Sequence, residues 1–145
     1  MSTPTILVIE DNPAEVGLLR HALDQLDERY VLDVLPDGEA ALRFVQEHRS
    51  GVREPHPCVI LLDLYLPKHD GIAVLEAIRQ EPVLCHIRVV VLSGLANPRD
   101  QEAVRQMGAL YRSKPASLDH YVELAAEIIA LCKGGVDVRS PVASN

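Results

Sequence analysis

Five residues of this chain have the types and spacing to do chemistry together. Glu10 and Asp11 stand side by side after an apolar run at 5–9. Asp63 follows the run at 58–62, Ser93 follows the run at 87–92, and Lys114 lies just beyond a short run at 109–111. Taken singly, each has an ordinary explanation. An acidic residue after a strand often caps a helix or sits in a solvated turn, and a lysine before a proline is commonly a surface residue. Their joint occurrence after successive apolar runs is harder to dismiss. Three carboxylates a few ångströms apart repel one another, and burying them unpaired is costly. They need a cation. Hard carboxylate oxygens with no histidine or cysteine beside them suit Mg²⁺, which takes few protein ligands and keeps several waters. A divalent ion there attracts a phosphoryl group. Lys114 would pair with a second phosphate oxygen as a point charge, and Ser93 would hydrogen-bond a third. One carboxylate could then act as nucleophile and become an aspartyl phosphate, with catalysis arising mostly from positioning and charge neutralisation.

The elements that must hold these groups follow from the hydrophobic rhythm. The runs at 5–9, 31–35, 58–62, 87–92 and 109–111 are unbroken rather than alternating, which predicts strands covered on both faces of a parallel sheet. Between them lie stretches of helical spacing at 13–26, 38–48, 71–80, 98–107 and 118–132. Asn12, Asp37, Asp70, Asn97 and Ser117 precede them as caps, Pro13 and Pro98 suit first helical positions, and Gly108 and Gly134 close the last two. Strand and helix alternate five times. That predicts an α/β fold with one five-stranded, doubly wound parallel sheet between two helical layers. Ligands of such sheets bind beyond the carboxyl ends of the strands, where all five chemical residues fall. The last helix carries a core stripe of Leu118, Tyr121, Val122, Ala125, Ile128, Ile129 and Cys132. Leu124 and Leu131 lie off it and are expected to be exposed on a partner surface.

Composition narrows the function further. The chain has 145 residues, enough for one domain, expected over 1–133 with a flexible tail at 134–145. The formal net charge of −7 and only 3% aromatic residues, with no Trp, disfavour a nucleic-acid partner. Three cysteines at long spacings (Cys58, Cys85, Cys132) predict reduced thiols rather than disulfides or a zinc site. No run approaches a membrane span, and the N-terminus lacks a secretory pattern, so a cytoplasmic location is expected. The six histidines show no metal spacing and are expected at solvated or capping positions. His69 is the one near enough in sequence to Asp63 to sense its state.

The segments ILVIEDN (6–12), VILLDLYLPKHDG (59–71), VVVLSG (89–94) and YRSKP (111–115), in that order over about 5–132, resemble the receiver domain of two-component response regulators. The Asp-x-x-Leu-Pro-x-x-Asp-Gly pattern at 63–71 is the specific part. The resemblance implies a flavodoxin-like fold, Asp63 as phosphoacceptor, and Lys114 as the lysine that contacts the phosphoryl group. It implies Mg²⁺ held by Glu10, Asp11, Asp63 and the backbone carbonyl of Tyr65, with Glu10 acting through water. Ser93 and Tyr111 match the switch hydroxyl and the switch aromatic. The implied partner is a sensor histidine kinase, and the protein signals by conformational switching rather than turning over a separate substrate. The segments at 10–23 and 111–125 are similar to stand-alone regulators paired with phytochrome-type histidine kinases, which tend to dimerise through the face from the fourth strand to the fifth helix. Two features depart from the pattern. A single residue, Leu110, separates Ala109 from Tyr111, and Tyr65 is bulky beside the acceptor, where it is expected to slow water attack. The competing reading is a pseudo-receiver, a docking or dimerisation module that never accepts phosphate. The full set of acidic residues, Ser93 and Lys114 argues against it. An aspartate-nucleophile phosphatase is rejected because Tyr65 stands where its second aspartate belongs.

Overall fold

A computed structural model describes residues 3–49, 56–68, 70–94 and 97–134. The elements run β1 (Thr5–Ile9), α1 (Pro13–Gln25), β2 (Val31–Leu35), α2 (Gly38–Arg49), β3 (Val59–Asp63), α3 (Gly71–Gln80), β4 (Arg88–Ser93), α4 (Pro98–Gln106), β5 (Leu110–Ser113) and α5 (Leu118–Cys132). All strand pairs are parallel, and the sheet order is β2-β1-β3-β4-β5. This is the flavodoxin-like, doubly wound order, with its topological switch between β1 and β3. The expected tail at 134–145 lies outside the described residues apart from Gly134, and so does His69.

Successive strand residues point to opposite faces, and this sorts the core into two layers. Leu7, Ile9, Ile60, Leu62, Val89 and Val91 pack with α2, α3 and α4. Ile6, Val8, Val59, Leu61, Val90 and Leu92 pack with α1 and α5. The expectation that every strand is covered on both faces holds for β1, β3 and β4 and fails at the edges. Val31 and Val34 of β2 are exposed, and β5 is at most half-buried. An edge strand has one neighbour and fewer helices over it, so apolar content alone overstates its burial.

Three further expectations are corrected. Leu124 and Leu131 are buried, while Leu118, assigned to the core stripe, is exposed. Helix α5 packs on the sheet and on α1 together, so its apolar arc is wider than a single 3.6-residue stripe. His48 is buried rather than solvated, in a face shared with Ala41, Phe44 and Val45. Its ring lies between those of Phe44 and His56, tilted against both, and its Nδ1 is 3.1 Å from the Phe44 carbonyl. Cys58 and Cys132 are joined in a disulfide across a Cα–Cα distance of 5.0 Å, and only Cys85 is free. The 74-residue separation hides this pairing, because the start of β3 and the end of α5 meet only once the layers are stacked.

Candidate functional site

Local signals place each side chain at the carboxyl edge. Strand β1 ends at Ile9, and Asn12 then stops the extended chain by accepting from the Ala14 N–H, with Pro13 opening α1. Glu10 and Asp11 are thereby held in the two-residue gap between strand and cap. Asp63 is the last residue of β3 rather than the first residue after it, and Ser93 ends β4 in the same way. Asp63 continues the parity of Val59 and Leu61 toward the α1–α5 side. Ser93 continues the parity of Val89 and Val91 toward the α4 side, which Tyr111 of β5 shares.

The turn after Asp63 is fixed by Gly71. Its N–H donates to the Leu64 carbonyl at 3.1 Å, and a Cβ at Gly71 would lie 2.2 Å from that oxygen. Only glycine lets α3 begin this close to the strand that carries Asp63. Lys68 takes a left-handed conformation, φ 76°, and pairs with Asp37 and Glu39 at 3.5 and 3.4 Å. The 63–71 pattern is therefore partly a description of a loop shape.

Carboxylate oxygens of Glu10, Asp11 and Asp63 lie within 4.8 Å of one another. Glu10 and Asp63 are buried, while Asp11 is exposed. Lys114 Nζ reaches three carboxylates: Glu15 at 2.8 Å, Asp63 Oδ2 at 3.2 Å and Glu10 at 3.4 Å. Its backbone N–H donates to the Ser93 carbonyl at 2.9 Å, which ties the lysine to the end of β4. The second Asp63 oxygen, Oδ1, accepts from the Tyr65 N–H at 3.2 Å. Glu10 Oε2 accepts from the Asn12 N–H at 3.1 Å.

The electrostatics follow from this crowding. Burial, and then the Asp63 charge, push the Glu10 carboxyl up from 4.5 to about 7, against the lowering effect of the Asn12 N–H and Lys114. Burial pulls the Lys114 ammonium down, but its bond to Glu15 and the charges of Asp63 and Glu10 outweigh that and hold it above its ordinary value. One monocation therefore serves several anions and leaves one of them partly protonated near neutral pH. An all-oxygen donor set with surplus negative charge fits a hard divalent cation, and Glu10, Asp11 and Asp63 are the residues able to hold it.

The structure thus brings Glu10, Asp11, Asp63 and Lys114 into one cluster, with the backbone of Tyr65 against Asp63. Ser93 is buried at the neighbouring strand end. Tyr111 is half-buried, paired in register with Val91, two residues short of Ser93. Sequence reasoning missed Glu15, the shortest partner of Lys114. Its signal was the Asn12-x-x-Glu15 spacing of a capping box, and the Asn12 amide does reach Glu15 at 3.3 Å. It also missed Asp100, which accepts from the Tyr65 hydroxyl.

The response regulator receiver domain family matches this chain over residues 6–126. The chain belongs to that family. Among relatives of this receiver domain, the response regulator Rcp1 of Synechocystis sp. is 42% identical over 95 residues, covering 66% of this chain and 65% of Rcp1. The polar-differentiation response regulator DivK of Brucella ovis is 30% identical over 122 residues, covering 83% of this chain and 92% of DivK. Among solved structures, the phosphorylated cyanobacterial phytochrome response regulator RcpA superposes with a TM-score of 0.82 at 29% identity, over 96% of this chain and 100% of RcpA. The Mn²⁺-bound form of Rcp1 gives 0.79 at 34% identity, over 92% and 96% of the two chains. No helix among the described residues is long and apolar enough to cross a membrane.

Proposed function

We propose that this receiver domain accepts a phosphoryl group on Asp63 from a sensor histidine kinase of the phytochrome type, in a Mg²⁺-dependent step that it catalyses itself. The observation that carries this reading is the Asp63 carboxylate. It is buried at the strand end, held by Lys114 on one oxygen and by the Tyr65 N–H on the other, with Glu10 and Asp11 beside it. Support for the partner and the ion comes from relatives described as a phytochrome response regulator and as a Mn²⁺-bound regulator. Glu10, Asp11, Asp63 and the Tyr65 carbonyl would hold Mg²⁺, which when bound neutralises charge on the incoming phosphoryl oxygens.

An Asp63 oxygen attacks phosphorus, the P–N bond to the donor imidazole breaks as the O–P bond forms, and the imidazole, already protonated on its other ring nitrogen, takes the P–N electron pair and leaves neutral. Lys114 is already positioned to neutralise oxygen charge on the transferred group. Ser93, at the end of β4, hydrogen-bonds the phosphoryl group, and Tyr111 turns inward behind it, shifting the population between two conformations of the β4–α5 region. The same face, from β4 to α5, is where a homodimer forms. The buried Leu124 and Leu131 do not contribute to it, so the dimer reading rests on the family resemblance. The proposed setting is the cytoplasm.

The test is intact mass after incubation with Mg²⁺ and a small-molecule phosphodonor. An adduct of about 80 Da, one phosphoryl group, is expected for the wild type and absent in Asp63→Asn. No adduct on the wild type favours the pseudo-receiver reading. Light scattering with and without the phosphodonor reads the dimer.

A further inference from the structure

Tyr65 touches two elements at once. Its backbone N–H donates to Asp63 Oδ1 at 3.2 Å, and its hydroxyl donates to Asp100 Oδ2 at 2.5 Å. Asp100 lies in the first turn of α4, where Asn97 caps the helix by accepting from the N–H groups of Arg99 and Asp100. Tyr65 is 47% exposed, so packing does little to fix its ring, and the polar contact at its tip sets where it lies. A residue in this position joins the acceptor carboxylate to the helix next to the switch strand.

The bond pattern gives this connection a direction. Both Asp63 oxygens carry a hydrogen bond here, one from Lys114 and one from Tyr65. When the oxygen facing Lys114 is esterified, the lysine passes to the phosphoryl group, while Oδ1 stays a carbonyl that still accepts from the Tyr65 N–H. The contact that must give way is the one at the hydroxyl: the proposed switch moves the β4–α5 region, α4 included, and a bond that ties α4 to this loop beside the unmodified carboxylate opposes that move. We propose that Tyr65 is a positioning residue that, with Asp100, latches α4 to the phosphorylation loop and holds the receiver domain in the conformation of unmodified Asp63. The latch rests on the phosphoacceptor reading, and it goes beyond the expectation that Tyr65 acts by bulk. The hydroxyl, not the ring, is the working part.

The experiment titrates beryllofluoride, a phosphoryl mimic, in saturating Mg²⁺ into the wild type, Tyr65→Phe, Asp100→Ala and the double variant, following bound fluoride by ¹⁹F NMR. Tyr65→Phe keeps the ring and loses only the donor. Both single variants are expected to bind the mimic about fivefold tighter, and the double variant no tighter than either one. Asp100→Glu, which keeps the acceptor, is expected to bind as the wild type does. Tyr65→Phe binding like the wild type, or single effects that multiply in the double variant, overturns the latch while leaving the phosphoacceptor reading intact. No binding by any of the five proteins overturns both.

Discussion

Two cations are drawn into this domain at opposite ends of its sheet, and they are satisfied by different partners. Lys114, at the carboxyl end, is surrounded by Glu15, Asp63 and Glu10. Arg79, at the amino end, donates to four backbone carbonyls: Met107 at 2.7 Å, Ile87 at 2.8 Å, Cys85 at 3.0 Å and Gly108 at 3.2 Å. Carbonyls cannot leave or be titrated, so Arg79 serves only to close the turns that lead into β4 and β5. Carboxylates carry charge that a competing cation can claim and a phosphoryl group can modify. The same formal charge is structural at one end and exchangeable at the other.

The largest effect separating the two ends is expected from Arg79→Met. It strands four carbonyls and costs about 2–4 kcal/mol of unfolding free energy in urea, equally with and without Mg²⁺. A Mg²⁺-dependent cost would show that the amino end is not independent of the site. Next comes reduction of the Cys58–Cys132 disulfide, the other tie near the amino end. Opening a 74-residue separation is expected to lower stability by about 2–4 kcal/mol, read as the melting difference with and without dithiothreitol. Smaller again is Lys114→Met. It removes the competitor for the carboxylates, so Mg²⁺ is expected to bind several-fold tighter by calorimetry, even as phosphoryl transfer fails. Weaker Mg²⁺ binding would mean that Lys114 assembles the cluster instead of competing for it. The smallest effect is in pH. The folded-state pKa of Glu10 lies above its unfolded value, so the folded protein binds more protons between 4.5 and about 7. The Glu10 contribution to stability is therefore fully present below that window and is lost as pH rises through it. We expect a loss on the order of 1 kcal/mol across it, absent in Glu10→Gln and reversed by Mg²⁺.

The site was more legible in the sequence than its surroundings, for physical reasons. Glu10, Asp11, Asp63, Ser93 and Lys114 each end or follow an apolar run, and a parallel sheet brings all such positions to one edge whatever the details of packing. The caps Asn12, Asp70, Asn97 and Ser117 were legible because a cap bonds backbone within three residues of itself. What failed depends on what lies across a gap in space. The burial of Leu124 depends on α5 meeting both α1 and the sheet, and that of His48 on the inner face of α2. The Cys58–Cys132 bond and the Tyr65–Asp100 contact join residues whose spacing carries no hint of their meeting.

Strand β3 has all five residues buried, Asp63 at one end and, one residue before its other end, Cys58 in covalent attachment to the last turn of α5. It is a rod clamped at its foot. Under the proposed function, a disturbance introduced at its tip would have no free length along which to slide and would be turned sideways into β4, its neighbour in the sheet. The route by which a message leaves would then be decided at the end farthest from where it arrives.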